Sequence, residues 1–161
     1  MCQLKGLTLT DIIETLKRVE LFHGMDERQL TAVAQIVEPC VYAAGDVIFE
    51  QGQDGDALYV INSGQVEVRV QNDDVTDSAV YLGDGQTVGE MALIDQAARS
   101  ATIIAVDEPT TLYRLPVAAF TRLCQMQTDI GYVLMRNIAQ DLSFKLRHRH
   151  SDIKRSGGSG V

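Results

Sequence analysis

Residues 83–105 read GDGQTVGEMALIDQAARSATIIA, and the organisation of the whole chain follows from this stretch. Three glycines lie within the seven residues before Glu90, and a lone arginine, Arg99, stands directly before a run that is typical of a β-strand. Most of the residues between the acid and the arginine are small or apolar. This arrangement predicts a small pocket that contains a fixed cation and a fixed hydrogen-bond acceptor.

The chemistry of this stretch suits a phosphate ester attached to a ribose. The planar guanidinium of Arg99 can make paired, charge-assisted hydrogen bonds to phosphate oxygens. A helical turn at residues 90–93 would offer free backbone N–H groups, and the Glu90 carboxylate could accept a hydrogen bond from a sugar hydroxyl. Gly89 would allow a close approach of the backbone. The same acid and arginine could instead form a structural ion pair that closes a barrel, and their spacing alone leaves both alternatives open.

Length and composition are those of an ordinary globular protein. The chain has 161 residues, of which 45% are hydrophobic and 22% charged, so we expect one domain with a substantial core. The formal net charge of −8 argues against a general nucleic-acid or membrane-surface protein. No apolar run approaches the ~18 residues of a membrane span. No catalytic triad, metal-ligand cluster or carboxylate pair stands out, so we expect neither an enzyme nor a metal site.

The cysteines and the N-terminus favour a cytoplasmic protein. The three cysteines are odd in number and far apart, which suits thiols in a reducing compartment better than a disulfide framework. The first residues also lack the basic-then-apolar pattern of a signal peptide.

The spacing of apolar residues changes twice along the chain. Residues 8–37 show the period of two helices, with Asp26 and Gln29 placed as a capping box. Between residues 39 and 116, short alternating runs separated by glycine turns predict many short strands. The helical period returns after residue 116 and continues in a long helix from about Thr128. We therefore predict an α+β fold, mainly β: a jelly-roll barrel (a double-stranded β-helix) with N-terminal helices and a long C-terminal helix.

These patterns divide the chain into four segments. The segments are an N-terminal helical segment (1–38), a β-barrel core (39–116), hinge and C-terminal helices (117–150) and a flexible tail (151–161).

The last helix has an apolar face and a basic end. Its apolar face could be core only, or it could also form the seam of a dimer. Its basic end, residues 145–155, is interpreted as a solvated helix end rather than a DNA contact, and no direct nucleic-acid partner is expected.

The opening stretch resembles the phosphate-binding cassette of cyclic nucleotide-binding domains. That family reads G-E-x-A-L, a short loop, then P-R-x-A-T, and this chain has GEMAL at residues 89–93 and RSAT at residues 99–102. We call residues 89–102 the cassette. The resemblance covers roughly residues 15–150. Its upstream turns and strands are GDVIF at 45–49, GQDGD at 52–56, YVI at 59–61 and GQVEV at 64–68.

The resemblance implies a sensor that binds one cyclic nucleotide and passes a signal to its C-terminal helix. It implies that Glu90 accepts the ribose 2′-hydroxyl and that Arg99 pairs with the cyclic phosphate. Backbone N–H groups near Ala92 and Ser100 would hold the remaining phosphate oxygens. The long helix would be a lid that packs over the base. The implied site is Gly89, Glu90, Met91, Ala92, Arg99, Ser100 and Ala101, with His148 and Arg149 as base or lid contacts.

Two positions depart from the family pattern. Ala98 stands where the family usually has proline, which predicts a less rigid loop. Ser100 replaces the alanine that is common in cAMP-selective kinase sites. A hydroxyl there can bond to phosphate in a cAMP site or to the guanine amino group in a cGMP site. We expect cAMP, with cGMP as the alternative, because serine is also common in bacterial cAMP sites of this kind.

The expected function is that of a cAMP-binding regulatory domain in cytoplasmic signal transduction, with no cofactor besides its ligand. The output would pass to a homodimer formed through the C-terminal helix or to an unknown effector protein. One alternative is the regulatory domain of a larger channel, transporter or transcription factor. Another is a degenerate barrel that acts only in protein interaction.

Overall fold

The computed structural model describes residues 6–73 and 75–156, and the side chains of residues 75–79 and 149–156 fall outside this description. Within it, helices lie at both ends of the chain and strands lie between them. None of these helices is both long and apolar enough to cross a lipid bilayer. The helices are α1 (Leu9–Lys17), α2 (Glu27–Ala34), α3 (Val117–Met126) and α4 (Thr128–Ser156), with 3-10 turns at Glu20–Phe22 and Glu90–Leu93.

The strands form two four-stranded antiparallel sheets, in the orders β1-β8-β3-β6 and β2-β7-β4-β5. The mainly β fold with helices at both ends is confirmed. Among the described residues no strand of one sheet pairs with a strand of the other, so the predicted barrel is a pair of packed sheets that does not close. The strands are β1 (Glu38–Tyr42), β2 (Val47–Phe49), β3 (Ala57–Ser63), β4 (Val66–Asn72), β5 (Val75–Leu82), β6 (Thr87–Val88), β7 (Thr102–Ala105) and β8 (Thr110–Pro116).

The central strand β3 is buried on both faces, which explains its continuous apolar sequence. Tyr59 and Ile61 point into the space between the two sheets, where they join a core cluster with residues of the other sheet such as Ile103. Leu58 and Val60 point to the opposite face and pack in the cluster formed with the helices. The period-2 alternation therefore directs one strand into two separate cores.

The N-terminal helices hold the first half of α4. The predicted capping box of α2 is confirmed, since Gln29 N donates to Asp26 Oδ1 at 2.8 Å and Asp26 N donates to Gln29 Oε1 at 2.9 Å. Gln29 Nε2 also donates to Asp129 Oδ2 at 2.9 Å, at the start of α4. Further along the helix, Asn137 Nδ2 donates to the backbone oxygens of Leu21 and His23. The first half of α4 is thereby tied to the N-terminal helices.

Two expectations from the sequence need correction. Cys40 is disulfide-bonded, whereas Cys124 is free and half-buried. The expectation of thiols alone is therefore wrong at Cys40, because widely spaced cysteines carry no signal of which ones the fold brings together. The helix α4 also continues to Ser156, past the expected start of the tail at residue 151. The rest of the predicted tail, residues 157–161, lies outside the described residues.

Candidate functional site

Arg99 is held in a buried setting between the two sheets. Only 4% of its side chain is exposed. Its Nη2 donates a hydrogen bond of 2.7 Å to the backbone oxygen of Ala57. The guanidinium carbon lies 4.0 Å from the centroid of the Phe49 ring, which is the geometry of a cation–π contact. An Asp56 carboxylate oxygen is 3.5 Å from Nη2. The cation is therefore oriented by a ring and a carbonyl and has one carboxylate at longer range.

The hydrogen-bonding capacity of Arg99 is only partly used. Its Nε is buried and has no hydrogen-bond partner within the described part of the chain. Burial lowers the pKa of the guanidinium, because desolvation disfavours the charged form, yet an arginine remains protonated in proteins. A buried cation with an unused donor is costly. An anion that carries several oxygens would satisfy this donor, so Arg99 has the properties of an anion-binding residue.

Gly89 makes room for the Arg99 side chain. Its φ of +79° lies in the left-handed region that glycine adopts freely. A Cβ at this position would lie 2.4 Å from Arg99 Nη1 and 3.2 Å from the Ala57 oxygen. The sequence suggested that Gly89 allows the backbone to approach a ligand. In the structure it is first of all the arginine that approaches Gly89.

Glu90 is the first residue of the 3-10 turn, and its side chain is 26% exposed. Its Oε1 lies 3.8 Å from Lys145 Nζ, which reaches it from α4. Lys145 also pairs with Asp141 on its own helix at 2.7 Å. Among the ion pairs of the described residues, none joins Glu90 to Arg99. The alternative of a structural ion pair between Glu90 and Arg99 is therefore not supported. The Glu90 carboxylate remains partly accessible to solvent.

The other cassette residues differ in exposure. Met91 is 45% exposed, whereas Ala92 and Ala101 are buried. The backbone N–H of Ala92, which the resemblance assigned to phosphate, donates to the Gly89 oxygen at 3.1 Å within the turn. Ser100 is exposed and directly follows the buried Arg99 in the chain.

The loop between β2 and β3, residues 50–56, pairs with the cassette through backbone hydrogen bonds. Arg99 N donates to the Gln53 oxygen at 2.7 Å, and Gly52 N donates to the Arg99 oxygen at 2.8 Å. A β-bridge joins Asp54 to Ala98. This pairing fixes the backbone on both sides of Arg99 without the proline that the family usually has. The family motif GQDGD at residues 52–56 is visible in the sequence, but its pairing with the cassette is not, because the paired residues are more than forty positions apart in the chain.

The remaining site residues from the sequence lie on α4. His148 is exposed, and its contacts are within the helix: Nδ1 lies 3.0 Å from the Phe144 oxygen, and the two rings are 3.9 Å apart. The Arg149 side chain is outside the described residues. Lys145, one turn earlier, reaches the cassette from α4 through its ion pair with Glu90. Within the described chain, no cluster of three or more His, Cys, Asp or Glu could hold a metal ion.

The sequence matches a family model and several curated proteins. A family model described as "Cyclic nucleotide-binding domain" matches residues 39–127. The cAMP-dependent protein kinase regulatory subunit of Dictyostelium discoideum is 32% identical over 144 residues, which are 84% of this chain and 43% of the relative. The cGMP-dependent protein kinase egl-4 of Caenorhabditis briggsae is 33% identical over 116 residues, 71% of this chain and 16% of the kinase. The chain thus spans less than half the length of these curated relatives.

Solved structures of the same kind superpose on the chain. The catabolite activator protein of Thermus thermophilus matches with a TM-score of 0.74 and 28% identity, over 86% of this chain and 63% of that one. The regulatory domain of Toxoplasma gondii PKA, solved with cAMP, matches with a TM-score of 0.68 and 26% identity, over 75% and 46% of the two chains. The family match, the fold and the cassette all agree with the resemblance found in the sequence, and the chain belongs to the cyclic nucleotide-binding domain family.

Proposed function

We propose that this chain is a regulatory module that binds one molecule of cAMP in the pocket around Arg99. The observation that carries the proposal is the Arg99 guanidinium, which is buried and held in place while its Nε donor lacks a partner among the described residues. A cyclic phosphate supplies both the charge and the oxygens that this group needs. No step of this function changes a covalent bond, so the module acts by binding and not by catalysis.

The other cassette residues complete the nucleotide site. Glu90 lies on the turn next to the arginine's pocket and accepts a hydrogen bond from the ribose 2′-hydroxyl. Ser100, exposed beside Arg99, adds a hydroxyl for the phosphate. Gly89, Met91, Ala92 and Ala101 form the backbone and the walls of the site. His148 and Arg149, near the end of α4, are the proposed contacts to the base.

The choice of cAMP over cGMP rests on the relatives and on Ser100. The relatives include a cAMP-dependent regulatory subunit and a cGMP-dependent kinase, and the former matches the larger share of this chain. Titration of nucleotide-free protein with each nucleotide tests this choice. We expect the lower Kd for cAMP, and a lower Kd for cGMP would reverse the assignment of the base.

The Glu90→Gln variant is expected to weaken cAMP binding by about 5- to 30-fold, because a charged acceptor for the 2′-hydroxyl is lost. Binding of 2′-deoxy-cAMP should change little, so the variant should discriminate less between the two ligands. The measurement is the ratio of the two Kd values. Glu108→Gln makes the same chemical change at an exposed position outside the cassette and should leave the ratio unchanged. Equal losses for both ligands in Glu90→Gln would exclude the ribose contact.

We also propose that α4 reports the state of the pocket. Its first half is tied to the N-terminal helices, whereas its second half meets the cassette through Lys145 and Glu90 at 3.8 Å. A ribose bonded to Glu90 competes with this lysine, so ligand binding changes the contact between α4 and the cassette. The ligand shifts the position of the helix only as far as its affinity differs between the two positions.

A second copy of the chain is the proposed partner of α4. Apolar residues recur along the helix at alternating intervals of three and four, which is the heptad pattern of a coiled coil. Tyr132 and Leu146 are 68% and 58% exposed, and Met135 is 44% exposed. We name this stripe the α4 seam. It comprises Tyr132, Met135, Ala139, Leu142 and Leu146.

The Leu146→Glu variant is expected to weaken the dimer at least about tenfold, because it places a charge in the α4 seam. Light scattering during gel filtration measures the mass as the protein is diluted. The control is Gln140→Glu, which adds the same charge at an exposed α4 position outside the seam. A native chain that stays monomeric at about 100 μM, or a Leu146→Glu protein that stays dimeric, would contradict the α4 seam as an interface.

The module can act as the regulatory domain of a larger protein. As the curated relatives are much longer than this chain, the domain could regulate a kinase, channel, transporter or transcription factor. Because cyclic nucleotides are intracellular signals in such systems, we place its action in the cytoplasm. The competing proposal is a degenerate domain that acts only through protein contacts. It is favoured only if the pocket binds neither nucleotide.

A further inference from the structure

The Asp56 carboxylate lies between two arginines. Its Oδ1 is 3.5 Å from Arg99 Nη2. Its Oδ2 accepts a hydrogen bond from Arg114 Nη2 at 3.1 Å. Arg114 in turn donates through Nη1 to Glu38 Oε2 at 2.7 Å. Charges of alternating sign thus run from β1, through β8, to the arginine of the cassette.

The two arginines hold Asp56 unequally. The distance to Arg114 is that of a hydrogen bond, whereas the distance to Arg99 is at the outer limit of one. Arg99 also lies in a much drier setting, with 4% of its side chain exposed against 25% for Arg114. A carboxylate released by Arg114 would therefore gain from moving closer to Arg99, where its attraction to the guanidinium is less screened by water.

We propose that Arg114 sets the affinity of the pocket for a phosphate by holding the Asp56 carboxylate away from Arg99. This inference rests on the proposed function, in which Arg99 binds the cyclic phosphate. Carboxylate and phosphate are anions that compete for one guanidinium, and they repel each other when both are near it. Asp56 is thus an internal competitor of the ligand, and Arg114 is a positioning residue that limits the competition.

The two residues should shift affinity in opposite directions. Asp56→Asn removes the competing charge, and we expect the Kd for cAMP to fall about threefold, the size typical of a partly screened ion pair. Arg114→Gln frees Asp56 to approach Arg99, and we expect the Kd to rise by about three- to tenfold. A loss of packing alone at Asp56 would not tighten binding, so the direction of this first change separates competition from a structural role.

A double-mutant cycle decides how Arg114 acts. In the Asp56→Asn background, Arg114→Gln should change the Kd by less than about twofold, because the carboxylate that it would release is gone. The control for charge is Arg122→Gln, which removes an exposed arginine on α3 and should leave the Kd unchanged. Raising the salt concentration to about 0.5 M should shrink both single-variant effects, because Asp56 is 68% exposed and its interactions are screened.

Each outcome of the titrations has one meaning. A native protein that binds neither cAMP nor cGMP contradicts the proposed function itself. If the native protein binds, either of two results overturns the role of Arg114. The first is that Asp56→Asn raises the Kd for cAMP or leaves it unchanged. The second is that Arg114→Gln raises the Kd by the same factor with and without the Asp56 carboxylate. Should Arg114→Gln fail to fold, Arg114→Lys replaces it. That variant keeps the charge but cannot bridge Glu38 and Asp56 as a fork, and it should also raise the Kd.

Discussion

Replacement of Arg99 by alanine is expected to weaken cyclic nucleotide binding by about 2–5 kcal/mol, which is on the order of 30- to several-thousand-fold in Kd. The phosphate would lose its charge partner inside a pocket where 96% of the arginine side chain is shielded from water. Calorimetric titration of the nucleotide-free variant measures the loss directly.

Two further variants separate charge from geometry at this position. Arg99→Lys keeps the positive charge but loses the paired donors and the stacking on Phe49, so its Kd should lie between those of the native protein and Arg99→Ala. Arg122→Ala, on the exposed face of α3, should bind as the native protein does. An unchanged Kd in Arg99→Ala, with the fold intact by thermal unfolding, would show that the phosphate site lies elsewhere.

Replacement of Gly89 by alanine is the second large effect that we expect. The new Cβ would lie 2.4 Å from Arg99 Nη1, so the guanidinium has to leave its place above Phe49. Loss of the bond to the Ala57 oxygen removes a charged hydrogen bond, worth about 1.5–3 kcal/mol of folding stability. We expect the Kd for cAMP to rise by more than about tenfold, since Arg99 is displaced from the position in which it meets the phosphate.

Gly24 provides the matched control for this experiment. Its φ of +88° is close to the +79° of Gly89, but a Cβ there has nothing within 4 Å. Gly24→Ala and Gly89→Ala should therefore share the cost of the left-handed backbone, about 1–2 kcal/mol, while only Gly89→Ala should lose affinity. Equal Kd values in the two variants would mean that Gly89 does not position Arg99.

The sequence predicted those parts of the site that are close together in the chain. The glycine, the acid and the arginine of the cassette fall within fourteen residues, and their chemistry is specific enough to indicate a phosphate and a ribose. Likewise, the change of apolar period at residues 39 and 116 predicted the extent of the β region, because alternation along a strand directly reflects its two faces. Both features depend on the spacing of residues that are close in the chain, so they can be predicted from the sequence.

The partners of Arg99 could not be predicted in the same way. Phe49, Asp56 and Ala57 reach it because β2, β3 and the cassette come together in the fold, and Arg114 approaches Asp56 from β8. Nothing in the spacing of these residues signals that they meet. The contact of Lys145 with Glu90 was missed for a related reason, since the position at which α4 crosses the cassette depends on how the helix packs.

The departure at Ala98 illustrates how a local rule can be offset by a distant contact. The missing proline predicted a less rigid loop, because proline restricts the backbone. In the structure, the backbone of residues 98–99 pairs with the loop between β2 and β3. These hydrogen bonds restrain the backbone where a proline ring would otherwise do so. A one-residue departure from a family motif is therefore a weak argument for altered function when its neighbours are paired.

Calorimetric titration of the nucleotide-free native chain with cAMP tests the central claim most directly, with 5′-AMP as the comparison ligand. We predict saturable binding of one cAMP per chain and much weaker binding of 5′-AMP, whose open phosphate does not have the shape of the cyclic ester. The absence of heat with cAMP, repeated with cGMP on protein shown by absorbance to carry no nucleotide, would contradict the assignment of the Arg99 pocket as a cyclic nucleotide site.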